Sequence, residues 1–245
     1  MSTAKSPFLI GLRAAKANLL PGLVIQAAMV SIVVAYYTVP RVHDWLCVLA
    51  EIKRNGGLPF SAVSAVVAGA IFPEVLAITI FQKGRITRKN LGNLLFNAAL
   101  WGFEGVVVDL FYRTQAVIFG DHADFATVFK KVLVDQLVYT TFFATPFSVG
   151  CFEWKNQGYS TKGMSRVFTP GFYKNQSVPA LIASWGVWIP LVSVIYSLPS
   201  LLQFPIFTLG LTFWVMMLTY VTSAEKKKSA LPFSPPVGNA APIQS

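Results

Sequence analysis

Residues 175–224 read NQSVPALIASWGVWIPLVSVIYSLPSLLQFPIFTLGLTFWVMMLTYVTSA and contain no charged side chain. One continuous α-helix of that length would measure about 75 Å, more than twice the roughly 30 Å thickness of a bilayer core. The stretch therefore fits two crossings. Because proline lacks the N–H that a helix interior needs, we place the turn between Pro199 and Pro205. The predicted arms are Val178–Leu198 and Phe204–Ala224, each close to one membrane span.

The composition of the whole chain favours one polytopic membrane domain. Hydrophobic residues make up 54% of its 245 residues and charged residues 12%, which is about half the charged share of a soluble domain. The net charge of +10 does not indicate nucleic-acid binding, because the basic residues separate apolar runs instead of lining one face. Two cysteines and two histidines without ligand spacing predict no metal and no cofactor. The sequence leaves open whether Cys47 and Cys151 pair.

Four more apolar runs precede the uncharged stretch, and they end at prolines, glycines or basic loops. They are Leu19–Val39, Leu58–Phe81, Leu91–Phe119 and Val132–Phe152. With the two arms above, they predict an all-α integral membrane protein, a compact bundle of about six transmembrane helices.

The runs divide the chain into three predicted parts. Residues 1–57 hold a basic amphipathic segment, a first span and a polar connector that ends at Gly56-Gly57. Residues 58–224 form the helical bundle. Residues 225–245 begin with Lys226-Lys227-Lys228, are then rich in Pro and Ser, and predict a disordered tail.

The positions of the basic residues orient the six predicted spans. Fourteen of the 20 Lys and Arg side chains fall on the side that holds both termini, and five on the other. The positive-inside rule then places both termini on the cytoplasmic or equivalent side. The expected location is a bacterial inner membrane or an organellar membrane, with the lipid bilayer as the first partner.

Several polar residues interrupt the predicted spans, where ionisable groups usually face a bundle interior or a wet cavity. The candidates for a pore or polar network are Glu74, Glu104, Asp109, Arg113, Lys131, Asp135 and Gln136. Asp109 with Arg113, and Lys131 with Asp135, are two opposite-charge pairs spaced by four residues at one membrane level. They would form a polar pore mouth, or a structural charge network between the third and fourth spans.

The two remaining carboxylates also have two readings each. Glu104 is the deepest, and either takes part in function or forms a hydrogen bond for packing. Glu74 follows Pro73 and either lines a pore or bonds backbone groups freed at a kink. Gly69, Gly102 and Gly105 indicate close helix packing. No nucleophile–base pair occurs at a recognisable spacing, so the sequence does not predict an enzyme.

Several motifs together resemble one known family. They are Lys131-Val-Leu-Val-Asp135-Gln136, the segment from Pro179 through Trp185 and Trp188 to Pro190, the pair Pro199 and Trp214, and Gly102-x-x-Gly105 followed by Phe111-Tyr112. In their order along the chain, these motifs are similar to those of the family of the twenty-two-kilodalton peroxisomal membrane protein, which includes the mitochondrial inner-membrane Mpv-type proteins. The resemblance covers residues 58–223 and leaves the first span as an addition.

This resemblance implies a small helical bundle in an organellar or bacterial membrane that acts as a pore or in metabolite homeostasis. Combined with the charges inside the spans, it predicts a channel or pore-like protein for small polar solutes. The alternative is a non-transporting scaffold or assembly subunit of a larger membrane complex. The corresponding partners are small polar solutes, a second copy of the chain, or another membrane protein.

Overall fold

The computed structural model describes residues 6–229, and for residues 161–163 and 217–229 it describes the backbone alone. Its described residues form eight helices and no strand. The helices are α1 Pro7–Ala17, α2 Leu19–Thr38, α3 Pro40–Phe81, α4 Arg88–Phe119, α5 Phe125–Asn156, α6 Thr161–Val167, α7 Pro170–Tyr196 and α8 Ser200–Ser229. The predicted all-α fold is confirmed.

Five helices are long and apolar enough to cross a membrane, by length and composition alone. They are α2, α3, α4, α5 and α7. The apolar part of α8, Ser200–Met216, is shorter. These helices agree with a membrane protein, and the number of crossings is taken up below.

The uncharged stretch divides into two helices, as predicted, but its turn lies earlier. Helix α7 ends at Tyr196 and α8 begins at Ser200, so Pro205 lies inside α8 and not in the turn. Pro205 follows the first turn of α8, and its missing N–H costs the helix one backbone hydrogen bond, to the Leu201 carbonyl. Gln203 Nε2 donates to the Leu198 carbonyl at 2.8 Å and strengthens this first turn.

The segment predicted as a polar connector is helical. Helix α3 begins at Pro40 and continues through the Gly56-Gly57 pair, with a kink at Gly57, where φ is 54° and ψ is −138°. Only glycine adopts such a conformation without strain. The tail prediction falls mainly on residues 230–245, outside the described residues, whereas α8 extends over Lys226–Lys228 to Ser229.

Wide π-helical turns precede three prolines inside the long helices. The turns are Val67–Ile71, Val134–Ala144 and Tyr173–Ser177, and Pro73, Pro146 and Pro179 each follow two residues later. A proline ring clashes with the carbonyl one turn earlier, and a wide turn moves that carbonyl away. The helices therefore continue through these prolines.

Contacts between the helices give their relative directions. Lys155, near the end of α5, donates to Asn93, near the start of α4, so α4 and α5 are antiparallel. Asp121, after the end of α4, accepts from Ser200, so this end of α4 lies near the start of α8. Helix α2 runs parallel to α7, since its last turn donates from Tyr37 to the Ser197 carbonyl at 2.8 Å.

Apolar side chains are found both inside and outside this bundle. The core contains Leu191, Ile195 and Tyr196 from α7, which are almost fully buried. The outer surface also carries large apolar side chains, with Val117 87% and Phe125 83% exposed. Polar groups lie in the interior, where they form the clusters described next.

Candidate functional site

The first interior cluster surrounds Asp109 on α4. Lys53 Nζ lies 2.7 Å from Asp109 Oδ2, and the Ser61 hydroxyl donates to the same oxygen at 2.7 Å. Arg113 donates to both carboxylate oxygens, at 3.1 and 3.3 Å. Lys53 is only 3% exposed and also donates to the Gly57 carbonyl at 3.3 Å. Every polar group in the Asp109 cluster therefore has a partner within the chain.

Two glycines allow this cluster to form. The kink at Gly57 sets the direction of the segment that carries Lys53. A Cβ atom on Gly105 would lie 2.8 Å from the Ser61 carbonyl oxygen, so α3 and α4 are in close contact there. That close approach brings Ser61 within hydrogen-bonding distance of Asp109.

The second interior cluster surrounds Asp135 on α5. The Tyr196 hydroxyl donates to Asp135 Oδ2 at 2.5 Å and accepts from Gln115 Nε2 at 2.6 Å. The other carboxylate oxygen accepts from Gln136 Nε2 at 2.8 Å and from the Thr140 hydroxyl at 3.2 Å. The Asp135 cluster thus joins α4, α5 and α7 through one buried carboxylate.

Unlike the first cluster, this one has polar atoms without partners. Lys131 Nζ forms no hydrogen bond with any described residue, and the same holds for Gln115 Oε1, Gln136 Oε1 and the Tyr139 hydroxyl. Lys131 is 1% exposed, and its Nζ lies 5.8 Å from the centroid of the Tyr196 ring. This region therefore has hydrogen-bonding capacity that the described chain does not use.

The structure brings together one of the two expected charge pairs. Asp109 pairs with Arg113, but Asp135 bonds to Tyr196, Gln136 and Thr140 and not to Lys131. Asp135 lies in the wide turn Val134–Ala144, where a spacing of five residues replaces four as the neighbour spacing. Its contact with Thr140, five residues later, follows this geometry. Lys131 lies before this turn, in the α-helical part Phe125–Leu133, and its Nζ lies over the Tyr196 ring and not at Asp135.

Each of the other two carboxylates has a single neutral partner. Glu104 accepts from the Ser148 hydroxyl at 2.5 Å, which ties α4 to α5. Glu74 accepts from Asn90, whose own side-chain oxygen caps the start of α4 through the Thr87 N–H at 2.7 Å. The expectation that Glu74 bonds freed backbone is thus replaced by a side-chain contact. Glu74 and Glu104 lie apart from the Asp135 cluster.

The three glycines of the predicted packing faces lie where α3 meets α4. A Cβ atom on Gly69 would lie 2.3 Å from the Trp101 ring, and one on Gly102 would lie 3.2 Å from Val66. Gly105 makes the close contact described above. The Asp109 cluster is therefore part of a tight helix–helix contact.

The residues that carry the family resemblance are distributed along α4, α5, α7 and α8. The Tyr112 ring lies 5.2 Å from that of Tyr196, and the Trp188 ring 6.2 Å from that of Trp214. Trp185 Nε1 donates to the Gln136 carbonyl at 3.4 Å. Pro179 contacts Gly11, Pro190 lies inside α7, and Pro199 lies in the turn before α8.

Eight participants were not predicted from the sequence. They are Lys53, Ser61, Asn90, Gln115, Tyr139, Thr140, Ser148 and Tyr196. Lys53 and Ser61 are eight residues apart, a helical spacing that places both on one face. This spacing indicates a shared face only if the helix continues through Gly56-Gly57, where the sequence predicts the end of a connector. Cys47 and Cys151 are free thiols, which answers the pairing question.

No family model, no curated protein and no solved structure matches this chain. The geometry of the two interior clusters is therefore the basis for a proposed function.

Proposed function

We propose that the chain is an integral membrane protein with six spanning helices, α2, α3, α4, α5, α7 and α8. The five long apolar helices support this topology, and the apolar part of α8 supplies the sixth. Large apolar side chains face outward while several charged groups are buried. A water-soluble protein buries its apolar groups and exposes its charges, so the inverse arrangement suits a lipid surround.

We further propose that both chain ends face the cytoplasmic or equivalent side. The α3–α4 loop carries Lys83 and Arg85, and α4 begins with Arg88-Lys89. Helices α1 and α6, at the same end of the bundle, carry further basic residues. Basic residues near span ends favour the cytoplasmic side.

Within this topology, we propose that the protein passes small polar solutes or ions through the Asp135 cluster. The observation that carries the proposal is the set of unused hydrogen-bonding atoms on Gln115, Lys131, Gln136 and Tyr139. A buried polar group without a partner costs about 1–3 kcal/mol. Several together are costly in a structural core, whereas water and solute in a passage would satisfy them.

Flux through reconstituted protein tests this proposal. Purified protein in liposomes should release small polar solutes faster than empty vesicles. Gln115→Leu and Gln136→Leu should slow the release several-fold, because they remove polar lining. Gln26→Leu is the matched control, since Gln26 lies on α2, outside the Asp135 cluster, and donates to the Gly186 carbonyl of α7 at 3.2 Å. Flux no greater than that of empty vesicles rejects the proposal.

The alternative function, a scaffold or assembly subunit, is favoured by a different observation. Asp109, Glu104 and Glu74 are all bonded to groups of the same chain, as in a structural network. Purification in mild detergent separates the two functions. A stoichiometric second membrane protein supports the scaffold, whereas the chain alone or as a homo-oligomer supports the channel.

A further inference from the structure

Two lysines are buried in the described residues, and their surroundings differ. Lys53 contacts Asp109 at 2.7 Å. Lys131 has no hydrogen-bond partner among the described residues. Both lie near an aromatic ring, Lys53 at 5.4 Å from that of Phe204 and Lys131 at 5.8 Å from that of Tyr196. The difference between them is the carboxylate.

The ring alone does not compensate the Lys131 charge. A cation–π contact contributes about 0.5–2 kcal/mol, whereas burying an ammonium group costs several kcal/mol. The carboxylates nearest along the fold are engaged elsewhere. Asp135 accepts from Tyr196, and Asp121 accepts from the Ser200 hydroxyl at 2.8 Å and its N–H at 3.1 Å. Asp121 acts on the Lys131 charge electrostatically but forms no ion pair with it, so Lys131 lacks a directly bonded anion among the described residues.

We propose that Lys131 binds the anionic group of a small solute, and that the passage therefore selects anions. The inference rests on the proposed transport function and names its substrate class, a carboxylate, phosphate or halide. An ammonium group on a flexible stem binds such ions as a point charge, without a fixed geometry.

The charges of the two clusters support the same selectivity. Lys53, Arg113 and Lys131 carry three positive charges, and Asp109 and Asp135 carry two negative ones. The two clusters together therefore carry one excess positive charge, and Lys131 is the buried cation that has no ion pair among the described residues. A low-dielectric wall strengthens the field of such a charge and raises the local concentration of anions.

Ion selectivity of the reconstituted protein tests this inference directly. In planar bilayers with a potassium chloride gradient, wild type should give a reversal potential displaced toward the chloride equilibrium value. Lys131→Met should shift it toward zero or toward potassium, and Lys131→Arg should retain the preference for chloride. Lys130→Met is the matched control, because Lys130 is the exposed neighbour on the same helix, and it should behave as wild type. Equal permeability of wild type to both ions overturns the inference while the transport function stands.

A binding measurement keeps the inference testable when no current is seen, an outcome that rejects the transport function alone. Thermal unfolding in detergent is compared with potassium chloride, acetate and phosphate at equal ionic strength, which also separates halide, carboxylate and phosphate sources. At least one anion should raise the unfolding midpoint of wild type and of Lys130→Met more than that of Lys131→Met. Equal anion effects on all three proteins overturn the inference.

Discussion

The Asp109 cluster and the Asp135 cluster use similar residues but differ in how completely they are bonded. Each centres on a buried aspartate and has a buried lysine nearby. Around Asp109, two cations and a hydroxyl all contact the carboxylate. Around Asp135, the carboxylate is bonded by neutral groups and Lys131 has no partner. The two clusters therefore differ in the number of hydrogen-bonding atoms that have no partner among the described residues.

Local backbone geometry explains the contrast. At Asp109 the α3–α4 contact is closed by Gly105, whose missing Cβ brings Ser61 close. At Asp135 the helix is wound as a π-helix over Val134–Ala144, and Asp135 accepts from Thr140, five residues later. Such turns occur often at functional sites in helices. The first cluster thus holds α3 and α4 together, and the second is the one for which we propose contact with a solute.

The largest effect is expected from Asp109→Ala, which leaves Lys53 buried without its carboxylate. Removing one partner of a buried ion pair typically costs about 3–5 kcal/mol. Unfolding in mixed detergent micelles, followed by circular dichroism, measures the change. The double variant Asp109→Ala/Lys53→Met should recover part of the loss, because it removes the stranded charge. A double variant as unstable as the sum of the two single variants would contradict the pairing.

Replacing each of the two buried lysines by methionine compares the two clusters directly. Lys53→Met should lower the free energy of unfolding by about 1.5–3 kcal/mol, the usual contribution of a hydrogen bond to a charged group. Lys131→Met should have no effect or a stabilising one, because a charge without a partner is removed from the interior. The same micelle unfolding experiment measures both. Equal losses at the two positions would show that Lys131 is as well compensated as Lys53.

The helices could be predicted from sequence because their signals are local. An uncharged run of 50 residues, 175–224, with prolines near its middle indicates two apolar helices whatever surrounds it. The division into α7 and α8 followed, and only the turn was misplaced. Lys53 was missed for a local reason also, because Gly56-Gly57 was read as the end of a connector when it marks a kink inside α3.

The clusters could not be predicted because their bonds join distant parts of the chain. Gln115 and Tyr196 are 81 residues apart, and no spacing rule relates them. The Lys131–Asp135 pair was expected from a regular helical spacing, but the Asp135 carboxylate is bonded by Tyr196, which is 61 residues away. The chemistry of the candidates was readable from the sequence, whereas their partners depend on the packing of α4, α5 and α7.

Replacing each of two glycines on α4 by alanine tests how tightly α3 and α4 pack beside the Asp109 cluster. At Gly105 an added Cβ would lie 2.4 Å from the Ala65 Cβ, so Gly105→Ala should destabilise by about 1–3 kcal/mol through overpacking. Gly92→Ala is the matched control, since nothing lies within 4 Å of its added Cβ. It should be neutral or stabilising, because alanine favours a helix more than glycine does. Micelle unfolding measures both variants, and equal effects would mean that the α3–α4 contact is loose.

The smallest effect is expected at Asp124, whose side chain caps the start of α5, the helix that carries Lys131. Hydrogen bonds from the Thr127 hydroxyl and backbone N–H lower the pKa of Asp124. A lowered folded pKa means that this contribution is complete above the unfolded value of about 3.9 and is lost as the pH falls through the folded value. Asp124→Ala should therefore lower the unfolding midpoint slightly at neutral pH, less than Gly105→Ala does.

Asp124→Asn separates the cap from the charge, because asparagine also accepts the Thr127 N–H and does not titrate. Its midpoint should stay near that of wild type at neutral pH and should not show the acid-dependent loss. Unfolding midpoints of the three proteins across the acid range measure this difference. Since the cap fixes only the first turn of α5, none of these variants should alter the chloride preference that we assign to Lys131. If Asp124→Ala changed the chloride preference, the charge that selects chloride would lie near the start of α5 and not inside the bundle.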